Sequence, residues 1–286
     1  MSLRDRIRRH RLYQKSGADF AAGMKNPGLA RRLPLLAWLS PGGTRTIEFT
    51  SGRSTALPLA HWDLLPLLCR LDRLGAATRI VDGRKEVTLG EITMVSPLSS
   101  RAEAEYYREV FIDDIYGTRA LDRRGQVVVD IGAWVGDSAV AYARAGATVH
   151  AVEPLASLAD CIARNAAANG VDGRVVVHPV GLAERAASEA LQVNGTPDRL
   201  ELVEGVAYAL AHLPARIDVL KIDCEGAEYY LFGHAAFLDH LDPAEIRMEY
   251  HRGPAPLVQQ LQERGYEVEY DPACQGVGLL RAHRNR

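Results

Sequence analysis

From about residue 126 onward, short apolar runs alternate with longer segments whose apolar residues recur every three or four positions. Residues 127–131, Val-Val-Val-Asp-Ile, are apolar except for Asp130. A run without polar alternation marks a strand buried on both faces, as in parallel sheets. Further strands are predicted at 148–152, 174–180, 217–222 and 245–250. Helices are predicted at 138–145, 155–169, from about 226, and at 256–264. Asn169-Gly170 and Gly265 supply helix stops. Residues 267–270 and 277–281 read as a terminal antiparallel pair. This alternation predicts a doubly wound α/β sheet. Right-handed crossovers bring the C-terminal ends of the strands to one edge, where ligands bind in such folds.

Residues 1–105 lack that rhythm. The opening carries Arg4, Arg6, Arg8, Arg9, Arg11 and Lys15, compatible with one basic amphipathic helix. A strand is expected at 44–49 after the Pro-Gly-Gly turn at 41–43. A helix is expected at 61–74, with Arg70 and Asp72 facing water and Gly75 ending it. Strands at 78–81 and 86–89 flank Asp82-Gly83, a hairpin dipeptide. A helix at 102–110 leads to Tyr116-Gly117. Trp38, Trp62 and Phe111 are expected in the core. The division that follows is an N-terminal α+β extension, 1–105, serving acceptor binding, a lid or oligomerisation, and a catalytic domain, 106–286. Tyr106, Tyr107 and Tyr116 are candidates for a cover over the site.

Composition narrows the function classes. The chain has 286 residues, 47% apolar and 24% charged, with a net charge of −2. Those are ordinary values for a globular protein, and the charge argues against coating nucleic acid. Cys69, Cys161, Cys224 and Cys274 form no Cys-x-x-Cys pair, so neither a zinc signature nor a disulfide framework is expected. No apolar run reaches the roughly 18–20 residues of a membrane span. No apolar stretch of secretory type follows the basic opening. These features lead to the expectation of a cytoplasmic protein with no membrane partner, and leave room for a homo-oligomer.

The strand ends carry the candidate chemistry. In Asp130-Ile-Gly132-Ala133-Trp134-Val-Gly136-Asp137-Ser138, Gly132 permits a sharp turn and Gly136 a close backbone approach to a ligand. Ser138 is a candidate N-cap, and Asp137 suits the positive helix end. The spacing is not the dinucleotide fingerprint, and pyrophosphate favours a helix N-terminus without carboxylates. Asp130 instead suits a cationic ligand. Glu153-Pro154 closes the second strand, 21 residues after Gly132. A carboxylate there can accept both ribose hydroxyls of a nucleoside. Lys221-Ile-Asp223-Cys224-Glu225-Gly226-Ala-Glu228 follows the fourth strand. Its crowded carboxylates suit proton transfer, with a divalent metal as the other option. His251 ends the fifth strand and titrates in the neutral range when unperturbed. Strand alternation allows only one of Glu249 and Tyr250 to face the pocket. His178, ending the third strand, is expected to pack or to border the adenine.

These motifs, with Val152, Asn165, Leu220, Ala227 and Met248-Glu249-Tyr250-His251, resemble the FkbM-type S-adenosylmethionine-dependent methyltransferases over about residues 107–270. Trp134 stands where that family usually has Asn, which alters packing around the methionine part of the cofactor. The resemblance implies a class I, Rossmann-like sheet, mostly parallel with an antiparallel C-terminal strand. It implies S-adenosyl-L-methionine as cofactor, S-adenosyl-L-homocysteine as product, and O-methylation of a hydroxyl on a small molecule, a sugar or a secondary metabolite. Asp130, Gly132, Ala133, Gly136, Asp137, Ser138, Glu153 and Pro154 match the cofactor site. Asp223 and His251 are the catalytic candidates, and Glu225, Glu228, Glu249 and Tyr116 the substrate-side ones, with no metal required. RNA ribose methylation and a non-catalytic nucleoside-binding module are the alternatives. A nicotinamide oxidoreductase is opposed by the glycine spacing and by Asp130.

Overall fold

The computed structural model describes residues 22–40, 42–98, 100–118, 122–193 and 196–284. The basic opening therefore lies outside the described residues, as does Pro41 of the first turn. The chain divides into two compact units, Met1–Arg108 and Glu109–Arg286.

The first unit begins with helix α1 (Pro27–Leu39). A hairpin of β1 (Thr44–Glu48) and β2 (Ser54–Pro58) follows. A 3-10 turn, Leu59–Leu64, leads into α2 (Leu65–Arg73). Pro66 stands at the start of α2, where its missing N–H costs nothing, so the single helix expected at 61–74 is two elements. Then β3 (Ala77–Val81), β4 (Arg84–Leu89) and β5 (Ile92–Pro97) form an antiparallel sheet, and α3 (Glu103–Arg108) closes the unit. The Asp82-Gly83 hairpin forms as expected, with φ of 49° and 71° at its two residues. Two expectations fail. Asp72 is buried, because its carboxylate accepts from Ser51 Oγ at 2.6 Å and Arg53 Nε at 2.7 Å. Trp38 is 66% exposed, on an α1 face where Leu35 and Leu39 are exposed too. Trp62 and Phe111 are buried.

The second unit is built on seven strands. β6 (Val127–Ile131), β7 (Thr148–Val152), β8 (Val175–His178), β12 (Val219–Ile222) and β13 (Glu245–Tyr250) are parallel, in the order β13-β12-β6-β7-β8. β15 (Gly278–His283) runs against β13 and against β14 (Glu267–Tyr270), so one strand opposes the rest. This is the mostly parallel α/β sheet expected of a class I methyltransferase. Helices α4 (Asp137–Arg144) and α5 (Ala156–Ala168) make the first crossovers. The segment expected as one helix from 226 is two, α7 (Glu228–Phe232) and α8 (Ala235–Leu241), and α9 (Ala255–Glu263) follows β13.

Between β8 and β12 lie further elements. They are the short β9 (Gly181–Ala183), the hairpin of β10 (Ala187–Val193) and β11 (Thr196–Glu204), and α6 (Gly205–His212). β11 pairs with β9 in parallel, forming a small second sheet. All four residues of β12 are buried, between β6 and β13. The site rests on these central strands, packed against Leu182, Ala209, Leu231, Phe237 and Leu257. Among the described residues no helix is long and apolar enough to cross a membrane.

Candidate active site

The β6 end makes a tight turn against the β12 end. Gly132 has φ 78°, and its N–H and that of Ala133 both donate to the Val152 carbonyl. A Cβ at Gly132 would lie 1.7 Å from the Asp223 carbonyl oxygen, so the two strand-end loops touch only because no side chain intervenes. Gly136 also meets a packing demand. Its Cβ would meet Ile162 of α5 at 3.0 Å, so its freedom serves helix packing. Gly136, with φ 83°, caps α4, and Ser138 lies one residue inside the helix. Ser138 is not the N-cap, because its hydroxyl donates inward to Asp130 Oδ2 at 2.6 Å.

Asp130 is fully buried and faces Lys221, whose Nζ lies 3.1 Å from Oδ1 and 2.8 Å from the Gly132 carbonyl. The same ammonium sits 5.1 Å from the centre of the Tyr116 ring. Burial pulls against its charge, but Asp130, Asp223 and Asp137 outweigh that and hold it above the ordinary lysine range. A buried lysine needs such partners. Lys221 belongs to the sequence motif, but no function follows for it from the sequence. Its signal was its position, one polar residue inside the otherwise apolar Val-Leu-Lys-Ile strand.

Glu153 is buried at the β7 end. Its Oε2 accepts from Trp134 N and its Oε1 from Leu155 N, each at 3.0 Å. Each oxygen keeps a further lone pair, which suits donation from vicinal hydroxyls. Burial pushes this carboxyl up to about 7, against the two N–H donors and Lys221. Asp137 is likewise pushed up to about 7, chiefly by burial. Pro154 packs beside Gly181, and its carbonyl accepts from Glu201 N at 3.1 Å. His178 is buried between His150 at 3.1 Å and the Tyr208 hydroxyl at 3.0 Å.

The β12 and β13 ends bring a second cluster together. His251 Nδ1 lies 3.1 Å from Glu228 Oε1, and its backbone N–H donates to the same oxygen at 3.0 Å. Glu228 is fully enclosed, and Gly226 N donates to its other oxygen at 2.8 Å. Expected on the substrate side, Glu228 instead stands behind His251, because both of its oxygens are held by the protein. His251 Nε2 faces Asp223 Oδ1 at 3.6 Å, Glu225 Oε2 at 3.6 Å and Glu249 Oε1 at 3.9 Å. Of the Glu249 and Tyr250 pair, Glu249 faces this cluster, while Tyr250 is buried and donates to the Cys274 carbonyl. Burial and then Asp223 push Glu249 up to about 7. The Tyr116 hydroxyl lies 3.3 Å from Asp223 Oδ2, so this tyrosine is a buried neighbour of the acid. Burial, and then Asp223, keep its phenol protonated.

The family pattern described as Methyltransferase FkbM domain matches residues 130–268. That span contains every strand end just described. The chain carries an FkbM methyltransferase domain. Comparison with curated proteins gives no match. Among solved structures the domain is similar to a precorrin-6y C5,15-methyltransferase from Geobacter metallireducens GS-15, at 17% identity over 59% of this chain and 86% of that one, TM-score 0.40. It is also similar to the M. jannaschii tRNA m1G37 methyltransferase, at 10% identity over 74% and 63%, TM-score 0.47. A third is M. jannaschii TYW2 in complex with AdoMet, at 12% identity over 72% and 88%, TM-score 0.42. At these identities the likeness concerns the fold alone.

The protein is thus an S-adenosylmethionine-dependent methyltransferase. The matched span holds the buried Asp130 and Glu153 and the acidic cluster around His251.

Proposed function

We propose that this methyltransferase transfers the methyl group of S-adenosylmethionine to a hydroxyl oxygen of a small, uncharged or cationic molecule, with a sugar or a secondary metabolite as the class of acceptor. The observation that carries this reading is the acidic character of the acceptor end. Asp223, Glu225 and Glu249 surround His251 Nε2, and Glu109 adds negative potential at Glu249. Such a surface repels a phosphate backbone, which nucleic-acid binding requires to be attracted. RNA ribose methylation is therefore the second reading.

The donor supplies a methyl group already activated on a positively charged sulfur. The chain's part is to hold it in line with the acceptor oxygen, and positioning is the main catalytic contribution. Glu153 accepts the ribose hydroxyls. Gly132 and Ala133 form the floor of the turn. Asp130, tied to Lys221 and Ser138, holds that turn in shape from inside. At the other end Asp223 and His251 activate the hydroxyl. Glu228 fixes the imidazole with Nδ1–H donated toward its carboxylate, so the Nε2 lone pair faces the acceptor.

Calorimetric titration tests the donor half. S-adenosylmethionine is expected to bind and NAD is not. Glu153→Ala is expected to weaken the donor by at least about tenfold, roughly the 1.4 kcal/mol of a lost charge-assisted hydrogen bond. NAD binding without donor binding would overturn the methyltransferase reading. Tritium from the labelled methyl group tests the acceptor half: label in small hydroxylated molecules supports the reading, and label confined to RNA ribose replaces it.

A further inference from the structure

The two ring nitrogens of His251 have different surroundings. Its Nδ1 is committed to the buried Glu228, yet no carboxylate oxygen around Nε2 comes within hydrogen-bond distance. The oxygens stand at 3.6–3.9 Å from Nε2. Asp223, Glu249 and His251 each offer one ligand atom, and the three lie within 4.8 Å of one another. Ligand atoms on one ion at a bond length of about 2.1 Å are about 3.0–3.4 Å apart, so a modest contraction closes the set. A carboxylate behind the far nitrogen of a metal-binding histidine is the usual supporting arrangement, since it fixes the tautomer and raises the basicity of the near nitrogen. Charge points the same way. Asp223, Glu225 and Glu249 face one imidazole, and the single Lys221 ammonium that acts on Asp223 and Glu249 is hydrogen-bonded to Asp130 and the Gly132 carbonyl.

We propose that Asp223, Glu249 and His251 hold one divalent first-row transition cation of the Mn2+ or Zn2+ kind at the acceptor end of the site. The single imidazole ligand disfavours Mg2+ and Ca2+, which take oxygen ligands. Three protein ligands leave positions open, as in catalytic rather than structural centres. This deepens the methyltransferase reading and rests on it for the cation's use. The cation binds the acceptor hydroxyl and makes it more acidic. The oxygen's electron pair forms the new bond to the methyl carbon. The methyl–sulfur pair stays on sulfur, leaving a neutral thioether. The hydroxyl proton leaves through Glu225, which is 88% exposed, to water. Asp223 and His251 then act as ligands, and His251 is not itself the proton acceptor.

The test is Mn2+ binding to the full chain, stripped of metal, followed by electron paramagnetic resonance. One ion per chain is expected. Asp223→Asn and Glu249→Gln, both near-isosteric, are each expected to weaken it more than tenfold. Glu228→Gln is expected to weaken it about 10- to 100-fold through the imidazole, as loss of a supporting carboxylate does elsewhere. Thermal melting and calorimetric S-adenosylmethionine binding, read on the same samples, separate loss of the site from loss of the fold. Wild-type protein that takes up neither Mn2+ nor Zn2+ at millimolar concentration overturns the proposal. So does uptake that the Asp223 and Glu249 variants leave unchanged. Metal uptake in protein that binds no methyl donor would leave the cation site standing and remove the function proposed for it.

Discussion

Trp134 occupies a left-handed backbone position, φ 49°, where a bulky side chain is disfavoured by roughly 1 kcal/mol or more. Asn, usual at this point in FkbM-type sequences, tolerates that conformation better. The position is fixed from both sides, by the Gly132 turn before it and by Trp134 N donating to Glu153 Oε2. A pair of variants isolates the backbone contribution, since both lose the indole. At an ordinary site Ala is the more stable replacement; here Trp134→Gly is expected to exceed Trp134→Ala by about 1 kcal/mol in urea unfolding. The usual order, Ala above Gly, would show that the backbone is not left-handed in solution. At this scale the sequence exposed residue types well and residue partners poorly. Asp130, Glu153, Asp223 and His251 stood out by position at strand ends. That Ser138 and Lys221 both serve Asp130 followed only from the turn geometry.

Elements with a buried face were legible, and so were the hairpin marked by Asp82-Gly83 and the terminal pair; the β10–β11 hairpin was not. The β10–β11 hairpin shows seven paired positions, from Ala187↔Leu202 to Val193↔Thr196, but none of its described side chains is buried, so its sequence carries little apolar rhythm. The β3–β4–β5 sheet hides a different feature. Lys85 on β4 and Glu103 at the start of α3 are both fully buried, 2.6 Å apart. Ser96 Oγ donates to the same carboxylate oxygen, and the Pro97 and Ser100 carbonyls accept from Lys85. Burial lowers the Lys85 ammonium to about 8, with Glu103 opposing. Removing one partner leaves an uncompensated charge in the core. Glu103→Gln is expected to destabilise the protein by about 3–5 kcal/mol in chemical denaturation, whereas replacing both residues by apolar ones is expected to lose far less. Equal losses in the single and double variants would mean the pair contributes only packing.

Across the whole site the carboxylates behave as a set. Asp137 and Glu153 ordinarily titrate at 3.8 and 4.5, and burial raises both to about 7. Their folded values exceed the unfolded ones. Their stabilising contribution is therefore complete below about pH 4 and is lost as pH rises through 7. A donor carrying an ammonium and a sulfonium favours the ionised carboxylates and reverses that trend. Binding of S-adenosylmethionine near pH 7 is expected to release protons, and its gain in melting temperature is expected to be larger at pH 8 than at pH 6. Calorimetry in buffers of different ionisation heat measures the release directly. Proton uptake, or no exchange between pH 6 and 8, would sink the assignment of these two acids to the cofactor site.

The local sequence by itself determined the parallel strands, because a strand covered on both faces must be apolar throughout. It also marked the acids in and just after the strands, since a charge within such a sheet needs a buried partner, as Asp130 and Lys221 supply to each other. Family resemblance added the methyltransferase chemistry on the same residues. Tertiary structure alone decided which of those charges face one another. Loops that are 91 residues apart, at Gly132 and Asp223, meet with no room for a methyl group between them. The acid of one strand end lies over the lysine of the next, and Glu228 lies behind His251 rather than beside the acceptor. Contacts of that kind depend on strand order and on the direction of each side chain, which periodicity along the chain does not encode.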